Sequence, residues 1–240
     1  MKNTVFQTQI GPKPPIESQP LQVEPVTELP DVPVMPETLL LLDLKIQERC
    51  VDLSEVSQLV LADLGAVLQI LRLAGREYGN AEGCPTRIED CISDLGLQAC
   101  FQAASAQTIP RDSRQRLIAK TWAHASEIAR YSKLIAEETP DVNPDEAYLA
   151  GLLHVLGLLP SVLGWNSRES KAVDGALAGF CIAKRWSLPS YIVGLFSGSP
   201  LSEDGTRWAG IVHMAHQRAN RSSVNCSFEQ HLRPRLHKRA

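Results

Sequence analysis

Aromatic residues are scarce in this chain: Phe, Trp and Tyr make up 5% of its 240 residues. The 44% apolar content is enough to fill a core, but that core must be built mainly from Leu, Ile, Val and Ala. Charge of one sign is missing too. The 24 basic and 27 acidic side chains leave a net charge of -3, which provides no whole-chain attraction to nucleic acid or to a membrane. No C-x-x-C pair occurs among Cys50, Cys84, Cys91, Cys100, Cys181 and Cys226, so these read as reduced thiols in a cytosol. The opening MKNTVFQTQI has no apolar signal core, and a cytoplasmic chain is expected. G-x-x-x-x-G-K-[ST], G-x-G-x-x-G and G-x-S-x-G are all absent, which leaves a phosphate-cradling loop or a serine nucleophile without support. No fixed period recurs, and this excludes a solenoid. Only Ala147–Trp165 approaches the length of a membrane span. It contains His154 and Pro160 and starts with the cap of a soluble helix, so no span is expected.

Proline is present, and it is unevenly placed. Eight of the sixteen prolines lie in residues 1–36, where they remove amide donors and forbid a regular helix. That stretch is expected to be a disordered leader that packs down where LPDVPVMP turns apolar. At the other end HLRPRLHKRA carries Arg233, Arg235, Lys238 and Arg239 with no acid. Residues 223–240 read as a basic, solvated tail.

Between them, residues 37–222 read as one all-α domain. ETLLLLDLKIQERC predicts a helix. Asp52 and Glu55 stand at capping-box spacing before the next one, as do Thr86 and Glu89 further on, with Gly96 suited to the end of the helix that follows Thr86. Leu64, Val67, Leu68 and Leu71 recur at i, i+3, i+4, i+7. The longest helix is expected between Arg111 and Glu138. Asn143 as N-cap, Pro144 at N1, Glu146 at N3 and Gly157 beyond the end mark another. Further helices are expected over Glu169–Trp186, Ser190–Phe196 and Glu203–Asn220. Trp122, Trp165, Trp186 and Trp208 read as core or groove-lining anchors, since basic residues do not interleave with them as in a base-stacking platform.

Three pieces then fall in order: LRLA (Leu71–Ala74) before a Tyr-Gly, GLLH (Gly151–His154) and W-x-L-P (Trp186–Pro189). Together, over Leu29–Asn220, they resemble the HDOD family, bacterial signalling domains related to the HD and HD-GYP metal phosphohydrolases. The resemblance implies an HD-like multi-helix bundle. Two departures stand out: Gly75-Arg76 where the family usually has Asn-Ser, and Asp63-Leu64 where it often has Asp-Pro. The first is expected to alter a turn locally.

The same resemblance allows the metal ligands to be counted. His124 matches the first-histidine position. His154 matches the histidine of the His-Asp pair, but Val155 replaces the aspartate that would bind a hard cation. The closing aspartate falls at or near His216. These positions read as a vestigial site, with no cofactor or metal expected. An alternative stays open in which the three histidines hold Zn²⁺ or another transition metal. His213 and His216, at i and i+3, read as a surface or rim pair. The expected function is a non-catalytic signalling or scaffold module that binds a protein partner such as a receiver, a kinase or a cyclic-dinucleotide enzyme. Nucleic acid is not expected as a partner. The first alternative is a nucleotide or cyclic-dinucleotide regulator with Arg76, Lys120 or Arg185 receiving phosphate. The second is a residual metal-dependent phosphohydrolase.

Overall fold

The computed structural model describes residues 30–79, 87–106, 114–165, 174–197 and 203–222. The expected leader as far as residue 29 and the basic tail from residue 223 lie outside them. Among the described residues regular structure is helical, apart from an isolated bridge residue at Val34. The helices are α1 (Pro36–Ile46), α2 (Leu53–Leu61), α3 (Leu64–Tyr78), α4 (Ile88–Leu95), α5 (Leu97–Ala104), α6 (Gln115–Glu137) and α7 (Pro144–Leu153). A 3-10 segment (His154–Leu158) then leads to α8 (Leu159–Leu163), α9 (Gly175–Arg185), α10 (Ser190–Phe196) and α11 (Glu203–Ser222). The all-α expectation holds.

The first five helices pack on one another around α3, whose positions from Leu64 to Leu71 are all buried. Asp63 organises this half. At 1% exposure, its carboxylate accepts from the amides of Gly65 (2.8 Å) and Ala66 (3.4 Å), which caps α3. It also accepts from the Trp122 indole (3.0 Å) and the Met35 amide (2.7 Å). The apolar end of the Pro-rich stretch does pack down: Val32 and Val34 are fully buried. Gln69 donates to the Val32 carbonyl at 2.9 Å, and Arg72 pairs with Asp31 at 2.7 Å. The domain therefore begins before α1, several residues earlier than the composition break at Pro36.

Three local expectations need correction. Asp52 does cap α2 through the Ser54 amide, but Glu55 turns away from the cap to pair with Lys45. Helix α4 starts at Ile88 with Arg87 in the cap position and no side-chain cap bond, while Thr86 lies outside the described residues. Gly75-Arg76 forms no turn, because α3 runs through it to Tyr78. A Cβ on Gly75 would stand 2.7 Å from the Trp186 carbonyl oxygen, so the residue's role is close approach to the end of α9.

The second half is built on α6, the longest helix described. It packs against α7 and α11, while α9 packs against the 3-10 segment and α10 against α9 and α11. Asn143 caps α7 through the amides of Asp145 and Glu146, as expected. Gly157 does not end that helix. The α-helical hydrogen bonding stops at Leu153, and Gly157 sits inside the 3-10 segment. Pro160 accounts for this. It has no N–H to donate to the Leu156 carbonyl and its ring crowds that carbonyl, so the chain tightens into a 3-10 turn before α8. Pro144–Leu163 is long and apolar enough to cross a membrane, yet 61% of the window lies inside the bundle, as for an interior helix.

Candidate functional site

The small residues Ala147, Ala150 and Gly151 let α7 lie close against α6. A Cβ on Gly151 would stand 2.5 Å from the Ser132 hydroxyl and 2.7 Å from the Ala129 Cα. Any larger residue there would force the helices apart. This approach carries His154, at the end of α7, towards His124 on α6. Helix α11 crosses α6 and α7 with Ala215 and Ala219 buried, and brings in His216. Its far end is fixed by Arg218, which donates to both carboxylate oxygens of Glu138.

The three histidines converge. Ring centroids are 5.3 Å apart for His124–His154, 5.2 Å for His124–His216 and 4.8 Å for His154–His216. One ring nitrogen from each falls within 4.8 Å of the other two. His154 is buried at 8% exposure, and His124 and His216 are half-buried. His154 donates from Nδ1 to the Gly151 carbonyl at 2.5 Å, which satisfies an acceptor at the C-terminus of α7 and fixes the tautomer. Its Nε2 is buried with no hydrogen-bond partner. Burial, then the neighbouring His216 and His124 rings, hold this imidazole well below its ordinary pKa, against the opposing pull of the Gly151 carbonyl. Val155 is fully buried in the core, where it contributes packing and no lone pair. His213 is exposed and bonded to Gln217 at 2.8 Å, so of the i, i+3 pair only His216 joins the cluster.

The residues expected to receive phosphate lie on three different helices. Arg76, Lys120 and Arg185 are exposed, on α3, α6 and α9. None of them lines a cleft of about 350 Å³ between α2, α4, α6 and α7. Arg87, Lys133 and Tyr148 line it instead. Asp145 bridges the two cations at 3.2 Å each, and Tyr148 donates to the Leu61 carbonyl. The sequence reading missed Arg87 and Lys133, which are 46 positions apart in an ordinary charged background. The tryptophan expectation holds: Trp122, Trp186 and Trp208 are buried, and Trp165 packs partly exposed against Trp186. Arg72 stacks over the Trp186 ring, 4.8 Å from its centroid.

Comparison with known proteins gives the same assignment. No curated protein matches the chain. Among solved structures, the MmoQ response regulator of Methylococcus capsulatus (Bath) superposes with TM-score 0.63 at 21% identity, over 80% of this chain and 87% of that one. A fragment of the same regulator, residues 20–298, gives 0.61 at 20% identity, over 82% and 87%. An HDOD domain protein of unknown function from Geobacter sulfurreducens aligns at 23% identity over 80% and 74%, with TM-score 0.35. The first two share the fold. Residues 32–165 match the description "HDOD domain". That match takes in more than half of the chain, including the helices that carry His124 and His154, and the protein therefore belongs to the HDOD domain family.

Proposed function

We propose that this protein is a non-catalytic signalling module that acts by presenting its helical surface to a protein partner. The observation that carries the reading is Val155. At the position of the carboxylate in HD phosphohydrolases, a fully buried aliphatic side chain fills the core, and the cluster beside it consists of imidazoles alone. A two-metal hydrolytic centre needs carboxylate oxygens to bridge hard cations and a positioned base, so this donor set does not fit one. The surface supplies support of a different kind. On α1, Leu40, Leu41 and Leu44 are 61%, 46% and 54% exposed, an apolar row of the type that marks protein contacts. The partner class is a receiver, a kinase or a cyclic-dinucleotide enzyme acting in trans. Affinity capture with the full chain should recover a stoichiometric partner that Leu40→Lys/Leu44→Lys no longer holds. Recovery of none, or equal recovery by the variant, would refute the reading.

A second reading has its own observation, the cleft lined by Arg87 and Lys133, which suits a phosphorylated ligand such as a cyclic dinucleotide. A thermal-shift series tests it. At a ligand concentration near 100 times Kd, about 2.7 kcal/mol of stabilisation is expected, and no shift would count against the cleft.

A further inference from the structure

A buried imidazole that closes a helix end needs one nitrogen for the task. His154 uses Nδ1 in that way, and its Nε2 is left in the interior beside two further imidazoles, with no hydrogen-bond partner. Such a nitrogen loses its hydration on folding and gains nothing in exchange. A leucine would pack the same space without that cost. The arrangement also shows a property of metal-ligating histidines, in which one ring N–H donates to a backbone carbonyl and so fixes the lone pair of the other nitrogen for the ion.

The remaining geometry agrees. Three ligands come from three separate elements: α6, the first residue of the 3-10 segment, and α11. The close approach at Gly151 and the Arg218–Glu138 pair hold these elements in place, so the donors are positioned by the scaffold itself. Zn–N bonds of about 2.0–2.1 Å in a tetrahedral site place the nitrogens roughly 3.3 Å apart. From a spread of at most 4.8 Å, side-chain rotation of the two half-buried rings closes that gap. His124 and His216 are half-buried as residues, the Nε2 atoms of His124 and His154 are buried, and three protein ligands would leave the fourth tetrahedral position to a water. Three neutral imidazoles select against Mg²⁺ and Ca²⁺, which require oxygen ligands, and favour the later first-row ions.

We infer that His124, His154 and His216 form a mononuclear transition-metal site, Zn²⁺ foremost, open at its fourth position. This replaces the expectation of an empty vestigial site. It is independent of the protein-partner reading, since an ion here would serve as a clasp joining α11 to α6 and α7 whichever partner the surface binds.

The test uses the full chain with any affinity tag removed, stripped with chelator and then dialysed against Zn²⁺. About one Zn²⁺ per chain is expected at ~10 µM free ion, with a rise in Tm because the ion binds the folded state. Co²⁺ in its place should show the visible absorption of a four-coordinate nitrogen site. His124→Ala and His216→Ala, both at half-buried positions that tolerate truncation, should each weaken binding by at least ~100-fold, the upper range for disturbing even a ligand's hydrogen-bond partner. A variant with His213, His231 and His237 all replaced by Ala should keep its one ion. Excess Mg²⁺ should not displace it. Less than ~0.1 Zn²⁺ per chain would overturn the inference. So would a folded His216→Ala that binds normally, or binding lost only in the variant without the other three histidines.

Discussion

Asp63, at 1% exposure, accepts hydrogen bonds from four donors, whereas His154, at 8%, makes one and leaves its second nitrogen with none. Both are polar side chains next to a helix end, and both lie deep in the fold. Around Asp63 every element the carboxylate touches is tied down: the strap before α1, the start of α3 and the Trp122 ring of α6. Around His154 the helices are tied by small residues and packing, and the imidazole is left with capacity to spare. The polarity of the first half is consumed by structure. That of the second is available to something outside the chain.

Replacing Asp63 is the most severe way to break this contrast. Asp63→Ala strips an N-cap and leaves the Trp122 indole and the Met35 amide without their acceptor. It should destabilise the fold by about 3–5 kcal/mol, read as a lower urea midpoint at unchanged m. Gly151→Val comes next. Its side chain would meet Ser132 and Ala129, cost about 1–3 kcal/mol, and spread the histidines. A variant of normal stability would show that the α6–α7 spacing is not fixed there. His154→Leu should be milder. With metal removed, the lost Gly151 bond and the removed orphan nitrogen offset each other, and stability should stay within about 1 kcal/mol of the parent at pH 8.

The contrast sharpens on acidification of the metal-free protein. In the unfolded chain His154 titrates near its ordinary 6.5, and in the fold well below that. Below pH 6.5 the unfolded state therefore binds the extra proton, so stability falls as pH falls, by up to about 1.4 kcal/mol per unit. Denaturant midpoints between pH 8 and pH 5 should show this slope in the parent and a shallower one in His154→Leu. The smallest effect belongs to the cleft rim. Arg87→Ala removes a half-exposed pair with Asp145 and should change stability by less than about 1 kcal/mol. A larger loss would mean that the cleft is structural.

What could be read from the sequence follows the range of the interactions. The Asn143 cap, Pro144 at the first turn and the bounds of Ser190–Phe196 rest on neighbouring residues and came out as expected. Helix α7 was overextended because the effect of Pro160 reaches back along the chain to Leu156, while Gly157 offered a nearer and false stop. The three histidines were legible as motif positions, but their convergence depends on how α11 crosses α6, which no local pattern records. The role of Asp63 was hidden for the same reason, since two of its donors lie 28 and 59 residues away. Arg76, Lys120 and Arg185 rest on charge and position along the chain, and neither reveals which way a surface side chain faces.

The 3-10 segment has a consequence for the phase of the helix it interrupts. A 3-10 turn advances 120° per residue against 100° in an α-helix, so five residues rotate everything downstream by about 100° extra. Helix α8 still packs against α6 after that rotation. One apolar run serves two sets of neighbours, α6 along α7, the 3-10 segment and α8, and α9 along the 3-10 segment. His154 stands at the first residue of that screw dislocation, so any ion or ligand that grips its ring also sets the rotation of α8.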